Sequence, residues 1–409
     1  QAGNAATFLP GQEIVIKAGY SSQEKEVFQG LIIRFGLQSD QQGSFLIIEC
    51  KHPAVKLTIG RKNEIFNDKK DSEVINSILQ NAGLSKDVES TDNKHPELVQ
   101  HYVSDWDFIL MRADLNGLVV LPEIDKIAIK KPKLDVSPAY EAVYGSSILR
   151  FEADIDARNQ LNSVLGFSWD AANQELVEAK GNPKGENHPG NLKAKDLAKV
   201  IDLKEFNYQT AANIPMAVLD TISTARLTKS QLSFMRGKMT IQGEPDIHPG
   251  QLIKISGFSD RFNGNAFIGG IIHTINSESW ETDCLLGLDI DWYAEITPGI
   301  TPFPTSGMTA PISGLSTGLV KQIHEDPDGN YRVQVSIPTL KKDNLILWAR
   351  LSSLFASKDI GAFFYPEVND EVVLGFLNED PHHPIILGML YSKQKKPPLE
   401  PADGNHEKA

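Results

Sequence analysis

Few stretches of this 409-residue chain carry residue types at a spacing that could do chemistry. His382-His383 beside Glu379-Asp380 is one group of metal-ligating side chains. Neighbours in a strand or tight turn point different ways, so adjacent histidines rarely close on one ion, and a shaped turn is the better reading. His273 follows the apolar pair Ile271-Ile272 and has no Ser or Cys in an elbow or triad context, so it reads as a hydrogen-bonded strand histidine rather than a base. Gly264, Gly269 and Gly270 fit neither a phosphate-cradling loop nor a dinucleotide turn. Glu400, Asp403 and Glu407 could act as paired carboxylates only if a fold held them at a defined separation, and their polar, proline-bearing segment offers none. The two cysteines, Cys50 and Cys284, lie in apolar strand-like runs without C-x-x-C spacing and are expected as buried free thiols. No catalytic residue, cofactor or metal is expected.

Composition agrees with a globular chain of several domains, 41% hydrophobic and 23% charged. A net charge of −13 argues against general affinity for nucleic acid or anionic membrane, since both need a basic face. No apolar run approaches the roughly 18 residues of a membrane span, and no signal peptide is visible.

The elements that position these residues are mostly strands, and one group of them repeats. Pro10-Gly11-Gln12 returns as Pro249-Gly250-Gln251, and Ile14 and Ile16 as Ile253 and Ile255. Phe28 and Gly30 return as Phe267 and Gly269, Ile32-Ile33 as Ile271-Ile272, and Leu46 as Leu285. Without a gap, Leu9–Lys51 and His248–Ile290 share 10 of 43 positions, where roughly 3 are expected by chance. The shared punctuation predicts equivalent Pro-Gly turns and one common β unit, with the paired isoleucines packing barrel interiors or seams. Two similar units in one chain suit a ring with more symmetry than its subunit count.

Elsewhere, Asp71 or Ser72 is expected to cap a helix bearing Val74, Ile75, Ile78 and Leu79, stopped at Asn81-Ala-Gly83. Ser104 and Asp107 form a capping box before Phe108, Met111 and Leu115. Leu118–Leu121 and Lys126–Lys130 read as a hairpin, Asn173–Asn191 as a polar surface loop, and Pro215 as the first residue of a helix reaching about Leu227. Residues 298–317 are a Pro/Thr/Gly linker, and five short strands in 318–392 fit a small closed barrel of the OB type.

In that last segment Tyr331–Pro338, Trp348-Ala-Arg350, Phe363–Phe376 and Asp380–Gly388 resemble the OB domain of VgrG-type spike proteins and contractile-phage baseplate spikes. Gly243–Gly250, Phe262-Asn-Gly264, His273 and Trp280-Glu-Thr282 resemble the second tube domain of that family, and Ser104–Phe108 with Gly117 its helical insertion. The resemblance implies a mainly β fold with α insertions. Residues 1–140 would be a first tube β-barrel domain with a helical insertion at about 68–117, and 141–297 a second. An OB fold over 318–392 and a tail, 393–409, leading towards a spike or needle would follow. It further implies a homotrimeric structural adaptor between a hexameric, Hcp-like inner tube and a membrane-puncturing spike. Baseplate proteins and a PAAR-like tip or β-helical needle would be further partners, and the target membrane would be touched only through the spike. Such a particle is extracellular or envelope-anchored and assembled in the bacterial cytoplasm. Pro10, Gly11, Phe28, Gly30, Pro249, Gly250, Phe267, Gly269, Trp348, Pro366, Glu367, Asp370 and Gly388 are the structural or interface candidates. Two other readings are a spike-associated cell-wall hydrolase and a nucleic-acid-binding OB protein. Against the latter, Gly318–Ser392 has 6 Lys/Arg and 10 Asp/Glu, whereas single-strand binding needs a basic groove.

Overall fold

A computed structural model describes residues 8–41, 43–183, 189–300, 303–340, 346–401 and 403. The chain forms two compact units, Gln1–Ile300 and Thr301–Ala409. The first opens with an antiparallel meander of β1 (Glu13–Ala18), β2 (Lys25–Asp40) and β3 (Gly43–Lys51), in that spatial order. β-branched and aromatic residues fill these strands, as a pleated surface favours.

The next stretch builds a core of its own. It comprises β4 (Lys62–Lys70), α1 (Asp71–Asn81), β5 (Lys86–Val88), β6 (Lys94–Val103), α2 (Asp105–Leu115), β7 (Val119–Pro122) and β8 (Ile127–Lys130). Val74, Ile75, Ile78 and Leu79 of α1 meet Phe108 and Ile109 of α2 over Ile127 and Ile129. Ser104 caps α2 as expected, its Oγ accepting the Asp107 N–H at 3.1 Å and donating to the Asp107 carboxylate at 2.6 Å. The cap of α1 differs from expectation. Lys70 stands at the N-cap, its N–H donated to Glu73 at 2.9 Å, because the Asp71 carboxylate is engaged with groups distant in sequence. Gly83 and Gly117 end the helices at φ of 68° and 64°, a left-handed stop that glycine makes without strain.

The second half of this unit holds β9 (Tyr140–Val143), β10 (Ile148–Ile155), β11 (Val164–Asp170), β12 (Glu175–Lys180), α3 (Ala194–Ala198), β13 (Phe206–Thr210) and α4 (Met216–Leu232). β14 (Met235–Gln242), β15 (Leu252–Ser256), β16 (Gly264–Ile275), β17 (Trp280–Leu286) and α5 (Tyr293–Ile296) complete it. One six-stranded sheet runs β10-β14-β17-β16-β15-β9. Its outer strands are consecutive in the chain and touch through a Tyr144–Ile148 bridge. β12-β11-β13 form a separate sheet, and α4 packs on β11 and β12. Part of the expected polar loop is therefore strand β12. Val177 and Ala179 alternate with the exposed Leu176, Glu178 and Lys180, Ala179 is buried, and a Cβ on Gly181 would lie 2.5 Å from the Ser223 carbonyl oxygen of α4. Residues 184–188 of that loop lie outside the described residues. Pro215 is the N-cap of α4 rather than its first residue, and the helix continues past Leu227 to Leu232.

The second unit contains β18 (Ser316–Gln322), β19 (Val333–Ser336), β20 (Ile346–Leu351), β21 (Ala356–Ser357), β22 (Ile360–Gly361), β23 (Glu371–Phe376) and β24 (Pro384–Met389). Five of them close a barrel, β18-β19-β20-β24-β23. Closure comes from parallel pairing of Arg350 and Leu351 with Ile385 and Ile386, and it leaves no open edge around the barrel. Alternate residues Val333, Val335, Val372, Leu374 and Ile386 fill the interior. No helix among the described residues is long and apolar enough to cross a membrane.

Candidate functional site

The two Pro-Gly-Gln segments fold into the same turn. The Gln12 N–H reaches the Leu9 carbonyl at 3.1 Å while its side-chain oxygen accepts the Leu9 N–H at 2.8 Å. Gln251 repeats both bonds with His248, at 3.4 and 2.9 Å. Gly11 and Gly250 take φ of 95° and 86°, the positive value that a turn with Pro at its second position asks of its third.

Beyond the turn the copies part in register. Gly11 donates to the Ile32 carbonyl, but Gly250 donates to Ile268, which the ungapped alignment sets opposite Gln29. Each of these isoleucines is followed by a bulge, at Ile33 and at Gly269. The cause lies in the first hairpin, which holds eleven residues between the paired Ile16 and Phe28, against eight between Ile255 and Gly264. Phe28 and Gly30 are thus not the counterparts of Phe267 and Gly269; Phe28 stands where Gly264 stands. The shared meander is real, but its second and third strands match three positions away from the sequence identities.

Burial differs between the copies as well. Ile253, Ile255, Ile268, Cys284 and Leu286 lie in the core of the six-stranded sheet. Of their counterparts Ile14, Ile16, Ile32, Ile48 and Cys50, only Ile32 is buried. Ile16, Ile33 and Ile272 are exposed, so these members of the expected interior set do not pack a core in the single chain. Cys50 is half-buried rather than buried. Within the first unit the copies touch through Tyr20, stacked on Trp280 at 5.3 Å between ring centres, and Lys25 reaches Asp246, just before the second copy, at 2.7 Å.

On the closed barrel, the Asp326 carboxylate accepts N–H bonds from Asp328, Asn330 and Arg332 and pairs with the Arg332 guanidinium at 2.6 Å. Those donors, Arg332 first, hold the Asp326 carboxyl far below the usual carboxylate range. Arg332 in turn lies over the half-buried Trp348 ring. Pro366 is buried, and Glu367 and Asp370 close a turn in which the Glu367 N–H meets Asp370 at 2.9 Å. Gly388 sits on β24 with open space at its Cβ position. The sequence reading did not anticipate the β21–β22 arm. It carries an apolar surface that includes Leu354 at 94% and Phe363 at 80% exposure, with Tyr331, Phe355, Ile360 and Phe364 also exposed. Phe363, Phe364 and Tyr365 are adjacent in sequence, which is the available signal.

The chemistry-bearing residues are held structurally. His273 Nδ1 lies 3.0 Å from Thr282 Oγ1, and burial pushes its imidazole below the usual value. His382 pairs with Asp380 at 2.7 Å across the turn. Asp403 is exposed, and Glu407 lies outside the described residues. Among the described residues no three His, Cys, Asp or Glu side chains gather to hold a metal. The strongest buried polar cluster went unread in the sequence. Asp71 takes bonds from Arg112 Nε at 2.5 Å, Asn116 at 2.9 Å and His95 at 3.0 Å. Burial opposes the Asp71 charge, but these donors, led by Arg112, outweigh it and lower the carboxyl's pKa.

The model of a family described as the Alg8 N-terminal domain matches residues 1–277, and that of the type VI secretion system/phage-baseplate injector OB domain matches 316–391. Among similar curated proteins are two type VI secretion system spike proteins of Pseudomonas aeruginosa. VgrG5 is 32% identical over 114 residues, 27% of this chain and 14% of that protein. VgrG1a is 26% identical over 175 residues, 38% of this chain and 26% of that protein. The matched stretches thus span about a quarter or less of these relatives. Among solved structures, a tail protein from Neisseria meningitidis MC58 gives a TM-score of 0.49 at 13% identity, covering 68% of this chain and 88% of that one. An Escherichia coli type VI secretion component, described as similar to the T4 bacteriophage tail proteins gp27 and gp5, gives 0.43 at 15% identity, covering 93% and 88%.

Proposed function

The chain belongs to the family of the Alg8 N-terminal domain, and from that premise we propose that it is the structural hub and spike of a contractile injection system. One observation carries this reading. The five-stranded barrel closed by Ser316–Met389 coincides with the injector OB domain match over 316–391. The relatives that match the chain are named as spike proteins.

In this reading the protein is a homotrimer. A threefold ring meets a hexameric inner tube only if each chain offers two similar surfaces, and the repeated meander supplies two per chain. The two tube domains, over about 1–140 and 141–297, complete their barrels in the assembled ring. The OB barrels then narrow the particle towards a needle or tip protein, with baseplate proteins around it. Its action is mechanical: it transmits the force of contraction to the spike and needs no catalytic residue, cofactor or metal. The particle assembles in the bacterial cytoplasm and acts at the envelope of a target cell.

Native mass spectrometry of the purified chain tests this. A species at three times 45.1 kDa is expected, and a chain that stays monomeric or dimeric at every concentration overturns it. Lysis of peptidoglycan by the same preparation would contradict the non-enzymatic part.

A further inference from the structure

We infer that a cavity between α2, β6 and α4 in the first unit is a binding site for a small organic carboxylate, its charge held by Arg112 and its apolar body by α4. The inference goes beyond the hub reading and does not depend on it.

The cavity measures about 330 Å³, near the lower end of the roughly 300–1,000 Å³ of small-ligand sites. It lies where the helical insertion meets α4 and the loop before it. Asn93 ties the two sides together, its Nδ2 donating to Thr221 Oγ1 at 2.8 Å and to the Ala217 carbonyl at 3.3 Å.

Arg112 is the reason to expect an anion. Its side chain is only 16% exposed, yet it is short of acceptors. Nε spends its hydrogen on Asp71. Nη2 lies 3.3 Å from His95 Nε2, but that nitrogen is 3.0 Å from Asp71 Oδ2. A His95 N–H that donates to Asp71 cannot also accept from Arg112. The two terminal nitrogens, Nη1 and Nη2, therefore keep their N–H donors without an acceptor among the described residues. Donors covered in this way are costly to leave unmade. The edge they form is the second fork of the guanidinium, which a carboxylate matches with two parallel bonds.

The remaining walls select a carboxylate that carries an apolar body. Leu115 of α2 faces the cavity together with Ile214, Val218 and Ile222 from the α4 side. Tyr208 and Asn213 also line it, and neither side chain has a hydrogen-bond partner among the described residues. Burial raises the pKa of the Tyr208 hydroxyl, so it stays a neutral donor. The charged side chains of the lining, Asp71 and Glu97 against Lys94 and Arg112, balance, and Lys94 is already paired with Asp68 at 2.7 Å. Such a site has no net pull on inorganic anions. It recognises a group that fits the fork and the body behind it. A ligand seated here touches both sides of the junction and braces the helical insertion against α4.

Titration calorimetry of the full chain with benzoate tests this. One benzoate per chain is expected, with a rise in melting temperature as ligand is added. Methyl benzoate, which keeps the ring and loses the charge, and inorganic phosphate, which has no apolar body, should each bind roughly tenfold more weakly or worse. Asn213→Trp at the exposed rim and Val218→Phe on the α4 wall both narrow the cavity without touching the Asp71–Arg112 pair. Each is expected to lose benzoate binding, and Asn213→Trp to do so at the wild-type melting temperature. No binding of benzoate, equal binding of the ester or of phosphate, or benzoate binding unchanged in Asn213→Trp and Val218→Phe overturns the site. None of these results bears on the mass of the assembled particle, so the hub reading is tested separately.

Discussion

Ile32 and Ile268 occupy the same node of two separate sheets, although the sequence identities set Ile32 against Ile271. Each donates its N–H to the carbonyl of the turn glutamine, Gln12 or Gln251, at 2.9 Å, and each accepts the N–H of the turn glycine at 2.8 Å. The Pro-Gly-Gln turn therefore selects the pairing, and hairpin length absorbs the difference. Register slips of an odd number would expose the core face of a strand pair. The bulge at a fixed place after the turn keeps Ile32 and Ile268 on the inward face of both copies.

The two turn glycines will not tolerate alanine equally. Both have positive φ, which costs an L-residue about 1–2 kcal/mol. A Cβ at Gly11 meets nothing within 4 Å, whereas at Gly250 it would lie 2.6 Å from Leu121 Cδ1. Gly250→Ala is expected to lower stability by about 1 kcal/mol more than Gly11→Ala, measured by urea unfolding. An equal or reversed order would refute this account.

Asp71 anchors α1 to α2 and β6. Asp71→Asn leaves Arg112 without its anion in a nearly closed site and is expected to cost about 3–5 kcal/mol. The folded carboxyl has a lowered pKa, so its stabilisation is fully present above the unfolded value of about 3.9 and is lost as pH falls through the folded value. The wild type should lose stability in acid more steeply than Asp71→Asn. Parallel profiles would remove Asp71 from that role.

The two thiols should differ in reactivity. Cys284 is buried, and its thiol is pushed up to about 12, leaving almost no thiolate near neutrality. Cys50, half-buried, is raised by burial as well. Alkylation followed by peptide mass spectrometry is expected to label Cys50 first and Cys284 only on unfolding. Early labelling of Cys284 would mean that the six-stranded sheet opens.

The exposed apolar arm of the barrel should contribute to assembly. Leu354→Ser and Phe363→Ser remove side chains that touch little of their own chain, so melting temperature should hold while the oligomer weakens. A fall in melting temperature without loss of assembly would assign them to the fold instead.

What the residues determined alone was local. Pro-Gly-Gln gave two identical turns because proline sets one dihedral and glycine permits the next. Ser104 and Asp107 marked a helix start, and alternating Val333 and Val335 marked a barrel strand, because caps and pleats act over a few residues. What tertiary structure decided was everything that depends on distant partners. Asp71 looked like a cap until Arg112 and His95 arrived from other elements. Glu175–Lys180 looked like loop until α4 covered Ala179. Ile14 and Ile253 follow the same Pro-Gly-Gln turn at the same distance, yet one is half-buried and the other buried. Burial is a property of what packs against a strand, and only the second copy has β14 and β10 within its sheet.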